Sequence, residues 1–599
     1  MTTTRSPKQV RARLWSGLDV LSVASCSALF AGLALVVISA FRRLVLHEHI
    51  SDNLDTAWMA PLGTLAVFLV PAVPLAVVAI VAPRLVPPRL VFALFSFLAA
   101  WSVLLLFKQL HPAAAIILSL GIAWRVSASL ASRTDRAMGW ARRGVLAMSG
   151  LVSILAVVVL VVLPAASVRA IARLPAAAEG APNILLLILD TVRADELGVY
   201  GYAQPTSPRI DQFAARGVVF DRAIAPSSWT LASHASIFTG RRPGELSARW
   251  VKPLDRTHPT LAEVLRDHGY RTAGFAANFY HTGVESGIAR GFLHYEDVVR
   301  NRHQVVWSAA LARVGMLRAL WNARSLRAAW RSLRKHNMNL EAAGRSQKTA
   351  ERATGDLLRW LDRQERGPFF AFVNFFDAHE REEQLEPEFN RFGRGDRGRY
   401  DGFLARIDRA IGSLLDGLER RGVLDNTIVV ITSDHGELFG EHGLYSHGNG
   451  LHMPALWVPL IVVHPRTIPD GARVRGPVGL QDLAATLVEL AGVSSATAVG
   501  GTSLAAYLGP GGAMPAGAVF SEVERYKNLD SPGPAARGPM RSLIDSTWHY
   551  ILHADGTEEL FAWRTDPGEL DNLAARGRQP PPDLARLASA ARAFSSGYR

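Results

Sequence analysis

The stretch Ser433-Asp434-His435-Gly436-Glu437 closes a short apolar run, Thr427 to Ile431, bounded by Asn426 and Ser433. Such a run reads as a buried strand of a parallel sheet. Asp434 and His435 then sit where the strand ends, and open α/β sheets collect ligands outside the carboxyl ends of their strands. Two other apolar runs end the same way. Asn183 to Leu189 ends at Asp190, and Phe369 to Phe376 ends at Asp377, with His379 two residues on. Three strand ends delivering Asp, Asp-His and Asp-x-His read together as a metal site.

At 599 residues the chain is too long for one core. Its hydrophobic content, 49%, is high for a chain wholly in water. Cys26 is the one cysteine and lies in an apolar segment, which excludes a disulfide framework and a Cys-based metal site. The net charge of +13 suggests nucleic acid, but its distribution argues otherwise. Residues 1–166 hold 14 Lys and Arg against 5 Asp and Glu, a net +9, whereas the remainder holds 51 against 47, a net +4. Charge lying between apolar segments sets membrane topology, so the expected partner is a membrane and not a nucleic acid.

Five apolar runs support that reading: Val20 to Ala40, Leu62 to Ala82 (with Pro71 and Pro74 expected to kink it), Leu90 to Phe107, Ala113 to Trp124 continuing toward Leu130, and Val145 to Leu163. A bilayer needs roughly 20 residues of helix. With the N-terminus inside, the inner loops carry Arg5, Lys8, Arg11, Arg13, Arg84, Arg89, Arg125, Arg133, Arg136, Arg142 and Arg143, and the outer loops only Arg42, Arg43 and Lys108. That bias fits this orientation. An odd number of spans places everything after Ser167 outside the cytoplasm.

Leu174 to Pro182 is a linker, and from Asn183 onward strand-like runs alternate with helix-like segments, the α/β signature. Val305 to Lys335 is rich in Arg with Trp307, Trp321 and Trp330 interleaved. It reads either as a solvated helical insertion whose tryptophans pack on the domain, or as a basic amphipathic helix on anionic headgroups. His379 to Arg399 reads as a charged loop and Asp401 to Leu418 as a helix. Met540 to Trp563 reads as short strands around a hairpin turn at Asp555-Gly556. The expected organisation is a basic cytoplasmic tail (1–14), a transmembrane region of about five helices (15–166), a linker (167–182), an α/β catalytic domain (183–495) and a small C-terminal α+β subdomain (496–599).

A second stretch carries chemistry: Pro226-Ser227-Ser228-Trp229-Thr230-Leu231-Ala232-Ser233-His234, running on to Thr239-Gly240. Gly240 has the position of a helix-terminating residue, so a short helix runs from about Leu231 to Thr239. Thr230 is then its N-cap, a common place for threonine. The alternative is that the helix N-terminus presents free N–H groups to an anion, with the Thr230 hydroxyl as a nucleophile beside a metal.

The run Asn183-Ile184-Leu185 through Leu189-Asp190-Thr191-Val192-Arg193-Ala194-Asp195, with Gly198-Val199-Tyr200-Gly201-Tyr202, resembles the opening of the sulfatase family in the alkaline-phosphatase superfamily. So do Thr230 to Gly240, Asp377-Ala378-His379, Ser433 to Glu437 and Thr565-Asp566-Pro567-Gly568-Glu569 with Asn572-Leu573. The resemblance covers about 183 to 575 in consistent order. It implies a central, mostly parallel sheet and a divalent-metal site. Carried over position by position, it makes Asp190, Asp434 and His435 metal ligands, Thr230 the nucleophile and a further ligand, and His379 a substrate-binding residue. His447 takes the place of a family lysine twelve residues after the metal histidine, and His234 that of the signature arginine.

Sulfatases proper carry a cysteine matured to formylglycine at the nucleophile position. Thr230 stands there instead, and no formylglycine is expected. In this respect the chain is similar to lipoteichoic-acid synthases and lipid-A phosphoethanolamine transferases, membrane enzymes with a threonine nucleophile. The metal is Ca²⁺, Mn²⁺, Mg²⁺ or Zn²⁺, since two carboxylates and an imidazole select none of them. The leading expectation is a membrane-anchored enzyme that cleaves sulfo- or phospho-esters of glycans or lipids. Two others stand beside it: a phosphoglycerol- or phosphoethanolamine-type transferase, and a non-catalytic envelope scaffold. A formylglycine hydrate can expel sulfate by collapse of its own hemiacetal. A threonine ester has no such route, so the nucleophile favours phosphoryl chemistry while the motifs favour sulfate esters.

Overall fold

A computed structural model of the chain describes residues 15–46, 53–107, 109–250, 252–313, 348–364, 367–379, 386–493, 499–509, 517–525, 533–575 and 581–593. The basic tail 1–14, Trp321 and Trp330 lie outside the described residues. The chain divides into two compact units, Met1–Ala165 with Val299–Ser346, and Ala166–Val298 with Gln347–Arg599.

The first unit contains α1 (Gly17–Leu44), α2 (Thr56–Val81), α3 (Pro88–Leu104), α4 (Pro112–Ala131) and α5 (Thr134–Val157); α5 runs on through a π-turn into α6 (Leu163–Ile171), most of which belongs to the second unit. All five apolar runs of the sequence are helical, and among the described residues four helices are long and apolar enough to cross a membrane. The third run forms the shorter helix α3. α2 continues through Pro61, Pro71 and Pro74. Asp19, buried at the start of α1, caps its own helix with Ser16 and binds Arg142 of α5 at 2.9 Å.

The described part of the Arg-rich insertion, with the residues leading into it, packs on the apolar helices, and residues 314–335 lie outside the described residues. Arg300 forms a forked pair with Asp55 at 3.0 and 3.2 Å. The short helix α10 (Arg302–Trp307) lies on α2 at Gly63, where a Cβ would fall 2.0 Å from the Val305 carbonyl oxygen. Ala310 and Leu311 are buried in the apolar cluster formed by α1, α2 and α3.

The second unit is built on a nine-stranded sheet in the order β11-β2-β10-β6-β1-β5-β3-β4, with β9 also paired to β2. The strands are β1 (Asn183–Leu189), β2 (Val218–Ile224), β3 (Arg271–Ala276), β4 (His294–Glu296), β5 (Phe369–Phe375), β6 (Thr427–Thr432), β9 (Trp457–Val458), β10 (Leu460–Val463) and β11 (Ala472–Gly479). β1 runs parallel to both β5 and β6, and only β9 and β10 are antiparallel to their neighbours. Both faces of β1 are covered. Ile184, Leu186 and Ile188 enter one apolar cluster, and Leu185, Leu187 and Leu189 enter the other. Each fully buried aliphatic side chain contributes about 2 kcal/mol, which is why β1 reads as an unbroken apolar run instead of an alternation.

A second sheet, β12 (Val519–Val523), β13 (Met540–Ile544), β14 (His549–Leu552) and β15 (Glu558–Phe561), is antiparallel throughout. Its last turn carries Gly556 at φ 83°, as the Asp555-Gly556 reading requires. β12 holds the segment leading to Thr230, because Glu522 N donates to the Pro226 carbonyl at 2.9 Å and Ser521 Oγ to that of Ala225 at 2.7 Å. Part of the expected loop between His379 and Arg399 is helical: a turn at Pro387–Phe392, and a helix that begins at Asp396 and runs to Arg420.

The helix α8 (Thr230–Thr239) ends at Gly240, which is left-handed at φ 71° with the Gly500 carbonyl oxygen 1.9 Å from where a Cβ would stand. Replacing Gly240 by alanine therefore strains the backbone and pushes on Gly500 together. The expected loss is about 1–3 kcal/mol of stability, read as a lowered midpoint in thermal unfolding of the purified chain. An unchanged midpoint would contradict this account of the α8 terminus.

Candidate active site

The register of the central strands decides what their ends bring together. Ile188 pairs with Thr432 and Leu189 with Phe375, so β1, β5 and β6 stop at nearly the same level. Asp190 follows β1, and Ser433, Asp434 and His435 follow β6. All four are fully buried. One ligand atom from each of Asp190, Asp434 and His435 lies within 4.8 Å of the others.

Asp377, the third strand-end carboxylate, does not join them. Its Oδ1 accepts the Ala350 N–H at 3.1 Å, at the start of the helix Ala350–Leu361, and lies 3.5 Å from Arg406 Nε. The strand-end rule placed it correctly, but a neighbouring helix terminus and an arginine claim its charge.

Thr191 holds the acidic pair in position. It is one of four non-glycine residues with positive φ among the described residues, at 65°. Its N–H donates to Asp434 Oδ1 at 3.3 Å and its hydroxyl to the Asp190 carbonyl at 2.6 Å. A β-branched residue in this conformation costs on the order of 1–3 kcal/mol and persists where the surroundings impose it, commonly at functional sites. On the other side, Asn278 donates to Asp190 Oδ2 at 2.9 Å and Asn374 at 3.4 Å.

Thr230 is the first residue of α8, not its cap. The cap position is Trp229, in extended conformation and without a side-chain bond to the helix. The Thr230 hydroxyl is therefore free of capping and stands 3.0 Å from His435 Nε2. The other nitrogen of that ring, Nδ1, is 2.9 Å from the Gly436 carbonyl. A carbonyl only accepts, so Nδ1 carries the proton and Nε2 presents a lone pair. Ser233, one turn along α8, ties the helix to the Asp434 carbonyl at 2.6 Å.

His234, on the same helix, lies inside the protein. It is fully buried, with Nδ1 2.9 Å from the Thr230 carbonyl and 3.4 Å from Asp434 Oδ2. Burial opposes its protonation, but the nearby Asp434 carboxylate outweighs that and raises its pKa. For Asp434 burial works in the same sense, against charge, and the neighbouring His435 and His234 overcome it, holding the carboxyl below the usual range. Asp190 has less help. Burial and the charge of Asp434 push it up to about 7. His435 is lowered, mainly by burial.

His447 stacks on His435 with ring centroids 4.5 Å apart, and His379 lies 4.9 Å beyond it. Glu437 Oε2 meets His447 Nδ1 at 3.2 Å and fixes the ring's orientation. His379 in turn stacks on Phe376 at 4.3 Å. Asp190, Thr230, His234, His379, Asp434, His435 and His447 thus lie in one constellation, and Asp377 does not. Four others were not anticipated: Asn278, His281, Trp229 and Trp250. Trp229 stacks on Trp250 at 3.6 Å and stands 4.8 Å from His281 and 5.7 Å from His447. A signal existed for two of them, since the strand-end rule applied to β3 leads directly to Asn278 and His281.

The donor set fits a divalent cation. Asp190 Oδ1 and Asp434 Oδ2 are buried oxygens without a hydrogen-bond partner among the described residues. Two buried carboxylates this close repel, and an orphaned charged oxygen is costly. A cation between them removes both penalties, and oxygen-rich sites of this kind suit hard metals.

A parallel sheet that gathers two carboxylates, an imidazole and a hydroxyl on a helix N-terminus defines a class, the metal-assisted ester-cleaving enzymes of α/β architecture. The family model named Sulfatase matches residues 182–493, and the chain belongs to the sulfatase family of the alkaline-phosphatase superfamily. It is an enzyme acting on sulfuric or phosphoric esters. It is 25% identical to arylsulfatase K of Bos taurus over 448 residues, covering 66% of this chain and 79% of the relative. It is 26% identical to the sulfatase YidJ of Escherichia coli (strain K12), covering 65% and 83%. Among solved structures, a phosphonate monoester hydrolase of Agrobacterium radiobacter shares the fold with a TM-score of 0.50 and 22% identity, over 69% of this chain and 95% of that one.

Because the pKa of Asp190 is raised to about 7, this carboxyl holds a proton below that pH, and an incoming cation must displace it. Apparent metal affinity is expected to fall about tenfold per pH unit below neutrality and to level off above it. Calorimetric titration with Mn²⁺ in buffers of different ionisation enthalpy should record release of up to one proton, lost in Asp190→Asn together with most of the affinity. Affinity that stays flat between about pH 5.5 and 7.5, with no proton released, would contradict the assignment.

Proposed function

We propose that this protein is a membrane-anchored ester-cleaving enzyme in which Thr230 is the nucleophile, Asp190, Asp434 and His435 hold a divalent cation, and His379 and His447 handle the substrate's oxygens. The observation that carries the reading is the Thr230 hydroxyl: buried, released from capping, and 3.0 Å from the lone pair of His435.

A divalent cation in this donor set supplies Lewis-acid charge, which lowers the pKa of a nearby hydroxyl and neutralises anionic ester oxygens. The chain's own residues do the rest. Thr230, ionised with its proton released to solvent, attacks phosphorus or sulfur, forming an Oγ–P or Oγ–S bond as the P–O or S–O bond to the leaving alcohol breaks. The unpaired N–H groups of the first turn of α8 face the same point and stabilise the charge on the non-bridging oxygens. His447, oriented by Glu437, protonates the leaving oxygen, and His379 holds the substrate beside it. His234 supports the site from within the protein, tying the first turn of α8 to Asp434. A second acceptor then attacks the threonine ester. Water makes the overall reaction hydrolysis, and a sugar or lipid hydroxyl makes it transfer.

The covalent threonine ester favours phosphoryl over sulfuryl substrates, because its release requires attack at the central atom. The substrate class is a phosphorylated or sulfated glycan or lipid. The apolar helices act as an anchor of five spans with the N-terminus inside, which places the catalytic unit outside the cytoplasm.

Incubating the metal-loaded full-length protein separately with phospholipids and with aryl sulfates, followed by intact-mass measurement and peptide mapping, tests the nucleophile. A phospho-adduct on Thr230, absent in Thr230→Ala, is the expected result, with kcat falling by at least about a thousandfold in the variant. Turnover that survives Thr230→Ala would remove the threonine from the mechanism.

A further inference from the structure

Of the four non-glycine residues with positive φ among the described residues, Thr191 serves the metal site. The other three, His442 at 56°, Ser446 at 68° and Glu569 at 54°, lie in or against the loop that carries His447. Such conformations are unfavourable and persist where surrounding contacts impose them, commonly at functional sites. The loop opens with a short hairpin, β7 (Leu438–Phe439) paired with β8 (Tyr445–Ser446), and runs on to the turn that begins at Met453.

His447 lies midway along the chain between His442 and His452. Those two rings stack face to face, with centroids 3.7 Å apart and planes 12° apart. The stack therefore joins the two ends of the segment that carries His447. His442 Nε2 and His452 Nδ1 are buried without a hydrogen-bond partner among the described residues, so the rings meet through their faces and not through these nitrogens. Burial and the neighbouring His452 hold His442 below the usual histidine range, so the stack does not bring two cations together near neutral pH.

The far end of the loop is fixed to the C-terminal sheet. A carboxylate only accepts, so His452 Nε2 donates to Glu559 Oε2 at 3.1 Å and His553 Nε2 to Glu559 Oε1. Burial disfavours the Glu559 charge, and these two bonds outweigh it, holding the carboxyl below its usual range. Met453 N donates to Glu569 Oε2 at 2.9 Å, and Glu569 is itself bonded to His549 of β14. Ala535 N donates to the Asn449 carbonyl at 3.2 Å. None of these groups is used by the reaction.

We infer that His442 and His452, anchored through Glu559, are positioning residues for His447. Glu437 sets the rotation of the His447 ring, and the stack sets where the loop holds that ring over His435. A general acid must stand within hydrogen-bond reach of the oxygen it protonates, and a misplacement of about 1 Å is enough to cost rate. This inference rests on the reading of His447 as the leaving-group acid.

The test compares 4-nitrophenyl and phenyl esters, of phosphate and of sulfate, on the metal-loaded full-length protein. 4-Nitrophenolate leaves readily without a proton, whereas phenolate gains from receiving one. His447→Gln is expected to lower kcat on the phenyl ester by about a hundredfold more than on the 4-nitrophenyl ester. His442→Ala should show the same selectivity at about tenfold, with KM held. His442→Phe, which keeps a ring to stack, should restore the phenyl ester's kcat. Backbone hydrogen exchange over 440–453 reads the loop without turnover, and should be faster in His442→Ala and return toward wild type in His442→Phe. Equal loss on both esters in His442→Ala, no loss at all, no rescue by phenylalanine, or the same exchange in all three proteins would overturn the inference. A His447→Gln variant without leaving-group selectivity would instead defeat the reading of His447 as the acid, which separates the two failures.

Discussion

Two carboxylates, Asp190 and Asp434, sit fully buried at adjacent strand ends, each with one oxygen lacking a hydrogen bond. Isolated, such a pair is among the costliest things a protein interior can hold. Much of the surrounding architecture answers that cost. Thr191 is bent into a left-handed conformation to donate to Asp434. Asn278 and Asn374 reach across from β3 and β5 to one oxygen of Asp190. His234 approaches Asp434 from inside the helix that carries Thr230. Asp190 Oδ1 and Asp434 Oδ2 are still left without a hydrogen bond among the described residues, which is what a cation-binding site needs and what a purely structural carboxylate pair would avoid.

The same constraint links catalysis to the distant parts of the second unit. α8 must present its first residue, and not a cap, to His435. Its entry segment is therefore held by β12 of the C-terminal sheet, and its exit turns tightly at Gly240 against Gly500. The C-terminal residues 499–593 thus help to build the site without contributing a reacting group. The Arg-rich insertion is different. Its described part and the residues leading into it join the apolar helices through Asp55 and Gly63, so the first unit is assembled from two separated stretches of chain.

Much of the fold was legible because buried parallel strands leave an unmistakable mark. Asn183–Leu189, Phe369–Phe375 and Thr427–Thr432 are nearly pure apolar runs, and their ends announce themselves with polar residues. The site was partly legible for the same reason: Asp190, Asp434, His435 and His379 follow strand ends directly, and Gly240 marks the end of α8. Where the reading failed, side-chain direction or partner choice was at issue. Asp377 went to a helix terminus and Arg406, and Thr230 proved to be the first helical residue.

By itself, the sequence determined that the chain has an apolar helical part followed by a parallel α/β sheet, and that carboxylates and imidazoles collect at the sheet's carboxyl edge. Burial periodicity is a local property, and a strand end is a position along the chain, so both are written in residue order. Tertiary structure alone decided which of those groups share one point in space. The level ends of β1, β5 and β6 come from strand register, the Thr230–His435 contact from the angle at which α8 crosses the sheet edge, and the three-imidazole row from a loop folding back over β6. Each depends on residues from separate elements meeting at ångström precision, and spacing along one chain carries no such information.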